Sequence, residues 1–148
     1  MIRVAEKHNG AKEYLQQVKR CDVHIDDLLE ELAWLESKAT KITSTLSPDP
    51  GGGSGNQDKL GDAVAKIVDM RQEVNNAIDA FVDKKKEIRE LLGQIQNATL
   101  LVILLKVYFH YQTLEQVACD LGYSYKQTTR LHGKALVVVG KLLESKRC

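Results

Sequence analysis

The apolar positions of the first two-thirds of the chain fall on two long seams. The first runs Val18, Cys21, Ile25, Leu28, Leu32, Leu35, Ala39, Ile42 and Leu46, spaced alternately three and four residues apart. That alternation keeps one face of an α-helix apolar, the pattern of a coiled-coil seam. It predicts a helix from about Ala11 to Leu46. The second seam is Ala63, Ile67, Met70, Val74, Ala77, Phe81, Ile88, Leu91 and Ile95, with Lys84 in its polar gap. It predicts a helix from about Asp58 to Gln96, and each helix would be roughly 55–60 Å long at about 1.5 Å per residue. Between the seams, residues 47–57 hold both prolines and four of the ten glycines. Such a stretch breaks helix and strand alike and forms a loop. The two helices can then fold back on each other as an antiparallel hairpin over residues 11–97.

Leu29, Ala33 and Trp34 lie beside the first seam, and Val64, Ile78 and Leu92 beside the second. Two helices alone leave these uncovered, so the pattern asks for a third layer. The C-terminal helices or a second copy of the chain, in a homodimer, could supply it; the sequence leaves both open.

After Asn97 the pattern changes. Residues 98–105 are apolar nearly all round and predict a short buried helix ending near His110-Tyr111. Thr113 followed by Gln116 is a capping box, so a new helix starts at Leu114. Gly122 ends it after about two turns, and Ser124 can cap a last helix reaching to about Leu143. A short helix, a glycine turn and a longer basic helix form a helix-turn-helix over residues 98–148. Val117, Ala118 and Leu121 would make the inner face of its first helix, and Leu131, Ala135 and Leu136 that of its second. Thr128 stands where an aliphatic residue is usual. Gly133 and Gly140 fall on one face of the last helix, each costing about 1 kcal/mol relative to Ala. They predict close packing, a bend or an early helix end.

Charge changes the picture locally. The 148 residues carry 21 Lys/Arg and 20 Asp/Glu, a net +1 that names no partner. From residue 98 onward, however, seven bases face three acids. Lys126, Arg130 and Lys134 repeat every four residues as a basic stripe, and Lys141 follows. Such a stripe attracts phosphates, while side chains at the helix start read bases. The candidate DNA-binding residues are therefore Ser124, Tyr125, Lys126, Thr129, Arg130, Lys134 and Lys141.

Other chemistry is sparse. Three scattered cysteines make no disulfide framework and suit a reducing cytosol. Cys119 is expected as a small buried residue and His132 as a surface histidine. The four histidines have no partner at metal spacing, no glycine-rich nucleotide loop follows a strand, and no nucleophile sits with a base. The expectation is a non-enzyme without cofactor or metal. The absence of a signal peptide pattern and of a spanning apolar run adds a cytoplasmic location without membrane contact.

The run from Thr113 to Leu136, TLEQVACDLGYSYKQTTRLHGKAL, resembles the helix-turn-helix of region 4 of bacterial sigma factors. The Lys134-Ala135-Leu136 ending is especially similar. The layout also resembles small phage and prophage proteins that join a coiled-coil half to a glycine-rich break and a sigma-region-4-like end. The resemblance implies a transcriptional regulator that binds double-stranded DNA in a bacterial host, with Ser124, Tyr125, Lys126, Thr129 and Arg130 facing the DNA. It also implies RNA polymerase as a candidate partner. Tyr125-Lys126 replace the acidic and basic residues usual after the cap, so promoter preference does not carry over. No segment resembles the promoter-melting region, which argues against a stand-alone sigma factor. The alternative class is a coiled-coil adaptor that binds RNA polymerase or a phage protein without reading DNA.

Overall fold

The computed structural model describes residues 4–45 and 54–147, and the side chains of 10–44 and 58–146 among them. Every regular element among the described residues is helical: α1 is Val4–Thr45, α2 Ser54–Leu92, α3 Ala98–Leu104, α4 Leu114–Leu121 and α5 Tyr125–Arg147. A π-helical turn, Leu105–Phe109, continues α3. No helix among them is long and apolar enough to cross a membrane.

Element boundaries depart from the sequence expectation in four places, one of them the end of α5, which runs to Arg147 rather than about Leu143. α1 begins at Val4 rather than Ala11, and α2 begins at Ser54, inside the expected loop. Extending an existing helix costs far less than nucleating one, and only Gly55 weakens the stretch Ser54–Gln57. The rest of the expected loop, with Leu46, lies outside the described residues. α2 ends at Leu92 instead of Gln96. Gly93 N–H still donates to Arg89 O at 2.9 Å. Gln94 and Ile95 N–H then turn back to Leu91 O and Leu92 O at 3.2 and 3.0 Å, tighter bonds that close the helix. Asn97 opens α3, its Oδ1 accepting from the N–H groups of Thr99 and Leu100 at 3.0 and 3.2 Å.

The chain divides into two compact units, Cys21–Ala80 and Met1–Arg20 with Phe81–Cys148. In the first, the segments of α1 and α2 lie side by side and run in opposite directions. Cys21 and Leu28 share a groove with Glu73 and Ala77, whereas Leu35 and Ile42 share one with Ala63 and Lys59. Arg71 Nη2 donates to Glu36 Oε1 across the pair at 3.0 Å. The seam residues Ile25, Leu28, Ile67 and Val74 are buried and the remaining described seam positions half-buried. Beside the seam, Leu29, Trp34, Val64, Val68 and Ile78 are exposed.

In the second unit the seam has a third layer. Leu15, Val18, Ile88 and Leu92 pack in one core with Leu100 and Leu104 of α3, Tyr108 and Phe109 of the π-turn, and Ala135, Leu136 and Val139 of α5. The polar seam residue Lys84 is half-buried because it has a partner: its Nζ donates to Glu87 Oε2 at 3.1 Å. Glu87 also accepts from the Tyr14 hydroxyl at 3.3 Å and meets Lys146 Nζ at 3.6 Å, tying α1, α2 and α5 together. The hydrogen bond from Lys84 holds the Glu87 carboxyl below its ordinary range. Burial, reinforced by the Glu87 charge, pushes the Tyr14 hydroxyl up to about 12. Lys85 and Arg89 lie over the Phe109 ring at 5.5 and 5.2 Å.

Candidate nucleic-acid interface

The interface is built on three short-range devices that fix α4 and α5. The Thr113 hydroxyl accepts from Gln116 N–H at 3.2 Å, and Gln116 Oε1 accepts from Thr113 N–H at 2.9 Å. This is the expected capping box, and it sets the start of α4. At the other end Gly122 adopts φ 72°, in the left-handed region that costs glycine nothing. Tyr123 N–H then donates to Ala118 O at 3.0 Å and Gly122 N–H to Cys119 O at 3.3 Å, a Schellman closure. Two residues later the Ser124 hydroxyl accepts from Gln127 N–H at 3.1 Å and starts α5.

Val117 and Ala118 of α4 are buried and Leu121 half-buried; Ala135 and Leu136 of α5 are buried and Leu131 half-buried. The departure at Thr128 has a physical reason. Its side chain is fully buried, and its hydroxyl donates to Ser124 O at 2.9 Å, so the methyl packs inward while the polar atom is satisfied locally. α5 runs without interruption past Gly133 and Gly140, so neither ends it. A Cβ at Gly133 would meet nothing within 4 Å, whereas Gly140 is buried.

All seven residues singled out from the sequence are exposed. At about 100° per residue, Lys126, Arg130, Lys134 and Lys141 fall within a sector of about 80° on the side of α5 opposite Ala135 and Val139. Gln127, which the sequence reading passed over, lies about 20° beyond the edge of that sector and is also exposed. Tyr125 and Thr129 flank it, the Thr129 hydroxyl donating to Tyr125 O at 2.9 Å. Other bases near the C-terminus have internal partners: Lys106 Nζ donates to Asp120 Oδ2 at 3.2 Å, and Lys146 meets Glu87. Among the described residues no ion pair engages Lys126, Arg130, Lys134 or Lys141. The arrangement is a rigidly capped helix start presenting a cationic face of one sign. It can neutralise phosphates, and it presents an aromatic, an amide, a hydroxyl and a guanidinium at its leading end.

Two sequence expectations are corrected here. Cys119 is exposed, because Val117 and Ala118 fill the inner side of α4. His132 is half-buried, and its Nε2 shares a 2.9 Å hydrogen bond with the Tyr108 hydroxyl while the rings stack at 5.7 Å. Burial pushes the Tyr108 hydroxyl up to about 12. Sequence reasoning missed this pair because its members are far apart in the chain and on different elements. It also missed a groove beside the pair, lined in part by Lys12 and Lys19 of α1.

Against known proteins, the model of a family described as a protein of unknown function, DUF1492, matches residues 42–138, well over half of the chain and including the whole of α4. No curated protein and no solved structure matches it.

Proposed function

The chain belongs to the DUF1492 family, and for it we propose sequence-specific binding to duplex DNA as a transcriptional regulator of a phage or prophage. In this reading α4, the Gly122 turn and α5 form a helix-turn-helix like that of sigma region 4, preceded by a coiled-coil hairpin. α5 enters the major groove. Lys134 and Lys141 anchor phosphates. Tyr125, Lys126, Thr129 and Arg130 meet base edges, where a guanidinium can grip guanine and a ring or methyl can meet the thymine methyl. Ser124 holds the helix start against the backbone. The observation that carries the reading is the exposed sector of four cations that make no ion pair among the described residues, on a helix fixed by a cap and a Schellman turn.

Selection of bound duplexes from a random pool near physiological salt tests it. A converged motif is the expected outcome, and no enrichment by the folded protein overturns the reading. On the selected site, Arg130→Ala should weaken binding by about 1–3 kcal/mol and relax one base position. Lys134→Ala should weaken all sequences alike and lower the salt dependence. An unchanged profile for Arg130→Ala removes that residue from base reading.

A second reading rests on a different observation. Trp34, Val64, Val68 and Ile78 are exposed in the Cys21–Ala80 unit, which favours docking of a protein partner there, a second copy of the chain or RNA polymerase. An adaptor of that kind runs through a heparin column at moderate salt; a DNA binder is retained.

A further inference from the structure

We propose that two copies of this chain associate through one side of α2, antiparallel and about a two-fold axis at the level of Glu73. The inference rests on the second reading above in taking exposed apolar residues as a docking surface, and it commits that surface to a second copy. It does not depend on DNA recognition by α5.

The observation is a second apolar stripe on α2, which is one unbroken helix over Ser54–Leu92. Val64, Val68, Ile78 and Val82 are 39–58% exposed. At about 100° per residue they fall within a sector of about 80°, centred about 100° away from the seam that meets α1. The side of α2 opposite the stripe carries Asp62, Lys66, Asp69 and Glu73, all exposed, as a helix face in water does. Between Val64 and Val82 the stripe holds one charge, Arg71, and Glu36 of α1 pairs with it at 3.0 Å. Leu29 of α1, also exposed, extends the patch. It stands seven residues before Glu36, as Ile78 stands seven after Arg71. In an antiparallel pair the two therefore share a level on the side of the Glu36–Arg71 contact. Contiguous exposed apolar surface of this kind marks an interaction site.

The spacing of the stripe identifies its occupant. Val64, Val68, Ile78 and Val82 are separated by 4, 10 and 4 residues, an order that reads the same in both directions. Two antiparallel copies of α2 centred on Glu73 set Val68 against the partner's Ile78 and Val64 against the partner's Val82. Every apolar residue of the stripe then meets an apolar residue. Between these layers Arg71 meets the partner's Asn75, and a guanidinium can donate to the amide oxygen. A polar layer inside an apolar seam fixes its register. An unrelated partner has no reason to match a mirror order, whereas an antiparallel two-fold contact requires one, because the same patch serves both copies. A parallel pairing would instead oppose the two Arg71 side chains, like charge against like.

Sedimentation equilibrium of the full chain tests it, with twice the mass of one chain as the expected result. Val68→Glu puts a charge into two layers of the dimer but on an exposed side of the single chain. Association should weaken by about tenfold or more with helix content kept in circular dichroism. Asp69→Ala, on the charged side, should leave the mass unchanged. Cross-linking reads the register, in chains whose Cys21, Cys119 and Cys148 are replaced by serine. A Val68→Cys chain coexpressed with an Ile78→Cys chain should form a covalent dimer on mild oxidation. Either chain alone should not, because its two cysteines would lie about 15 Å apart along the axis. Should Val68→Glu lose helix, the cysteine pairs decide. A monomer at every concentration overturns the proposal. So does a dimer that Val68→Glu leaves intact, or one in which either cysteine chain cross-links alone as readily as the pair. A monomer that binds RNA polymerase and loses it with Val68→Glu overturns the dimer and keeps the docking reading, whereas a monomer that binds neither overturns both.

Discussion

The same heptad pattern meets two different surroundings along α1 and α2. In the Cys21–Ala80 unit, two helix segments share a seam whose best-buried members, Ile25, Leu28, Ile67 and Val74, keep 5–8% of their surface. In the other unit Leu15, Val18 and Ile88 keep none. The seam residues are of one kind in both; the difference is the layer of α3, the π-turn and α5 in the second core. Periodicity decides which face of a helix turns inward. It takes a third element to exclude water from that face.

The contrast can be tested most strongly in the cores. Leu104→Ala, at a fully buried position, should cost about 3–4 kcal/mol in urea denaturation, and Ile67→Ala nearer about 2 kcal/mol. Equal losses, dependent on protein concentration, would mean that the Cys21–Ala80 seam is covered by a second copy in solution.

Tyr108 offers a pH version of the same test. In an unfolded chain its hydroxyl ionises near 10.0, whereas in the fold it keeps its proton to about 12. The unfolded state therefore sheds the proton first. Stability is fully present below about pH 10 and falls as pH rises toward about 12. Tyr14 acts in the same direction. Urea midpoints across this range should fall less steeply in Tyr108→Phe, and a parallel slope would place the titration elsewhere.

A smaller loss, about 1 kcal/mol, is expected for Thr113→Ala, which removes the capping hydroxyl of α4; thermal unfolding reads it. The smallest change belongs to Trp34, 57% exposed. Trp34→Ser should stay within about 0.5 kcal/mol, and a larger destabilisation in the same melts would show the indole covered.

What the sequence disclosed and what it withheld follow the range of the interactions. The caps at Thr113 and Ser124, the turn at Gly122 and the two seams are set by residues within about one helical turn of each other, so local patterns carry them. The cationic sector of α5 was visible for the same reason. The outcome at Leu92 and Ile78 was not: both lie beside the second seam, yet Leu92 is buried under distant helices and Ile78 is exposed. Tyr108 with His132, and Lys12 and Lys19 with the groove beside that pair, are joined only by tertiary packing. The π-turn and the left-handed Tyr111 follow the apolar run of residues 98–105 and have no signature in it.

The core that unites Ala11, Leu15 and Val18 with Ala135 and Val139 also bears on the order of events during synthesis. Its first contributors leave the ribosome early and its last only when α5 is made. Until then the apolar faces of α1, α2 and α3 wait without their cover, a state prone to association with other chains. Closure over so long a sequence separation is slow compared with helix formation. Shortening the chain before Val139 would thus leave the earlier helices without a finished interior, rather than merely removing the segment that faces DNA in the proposed reading.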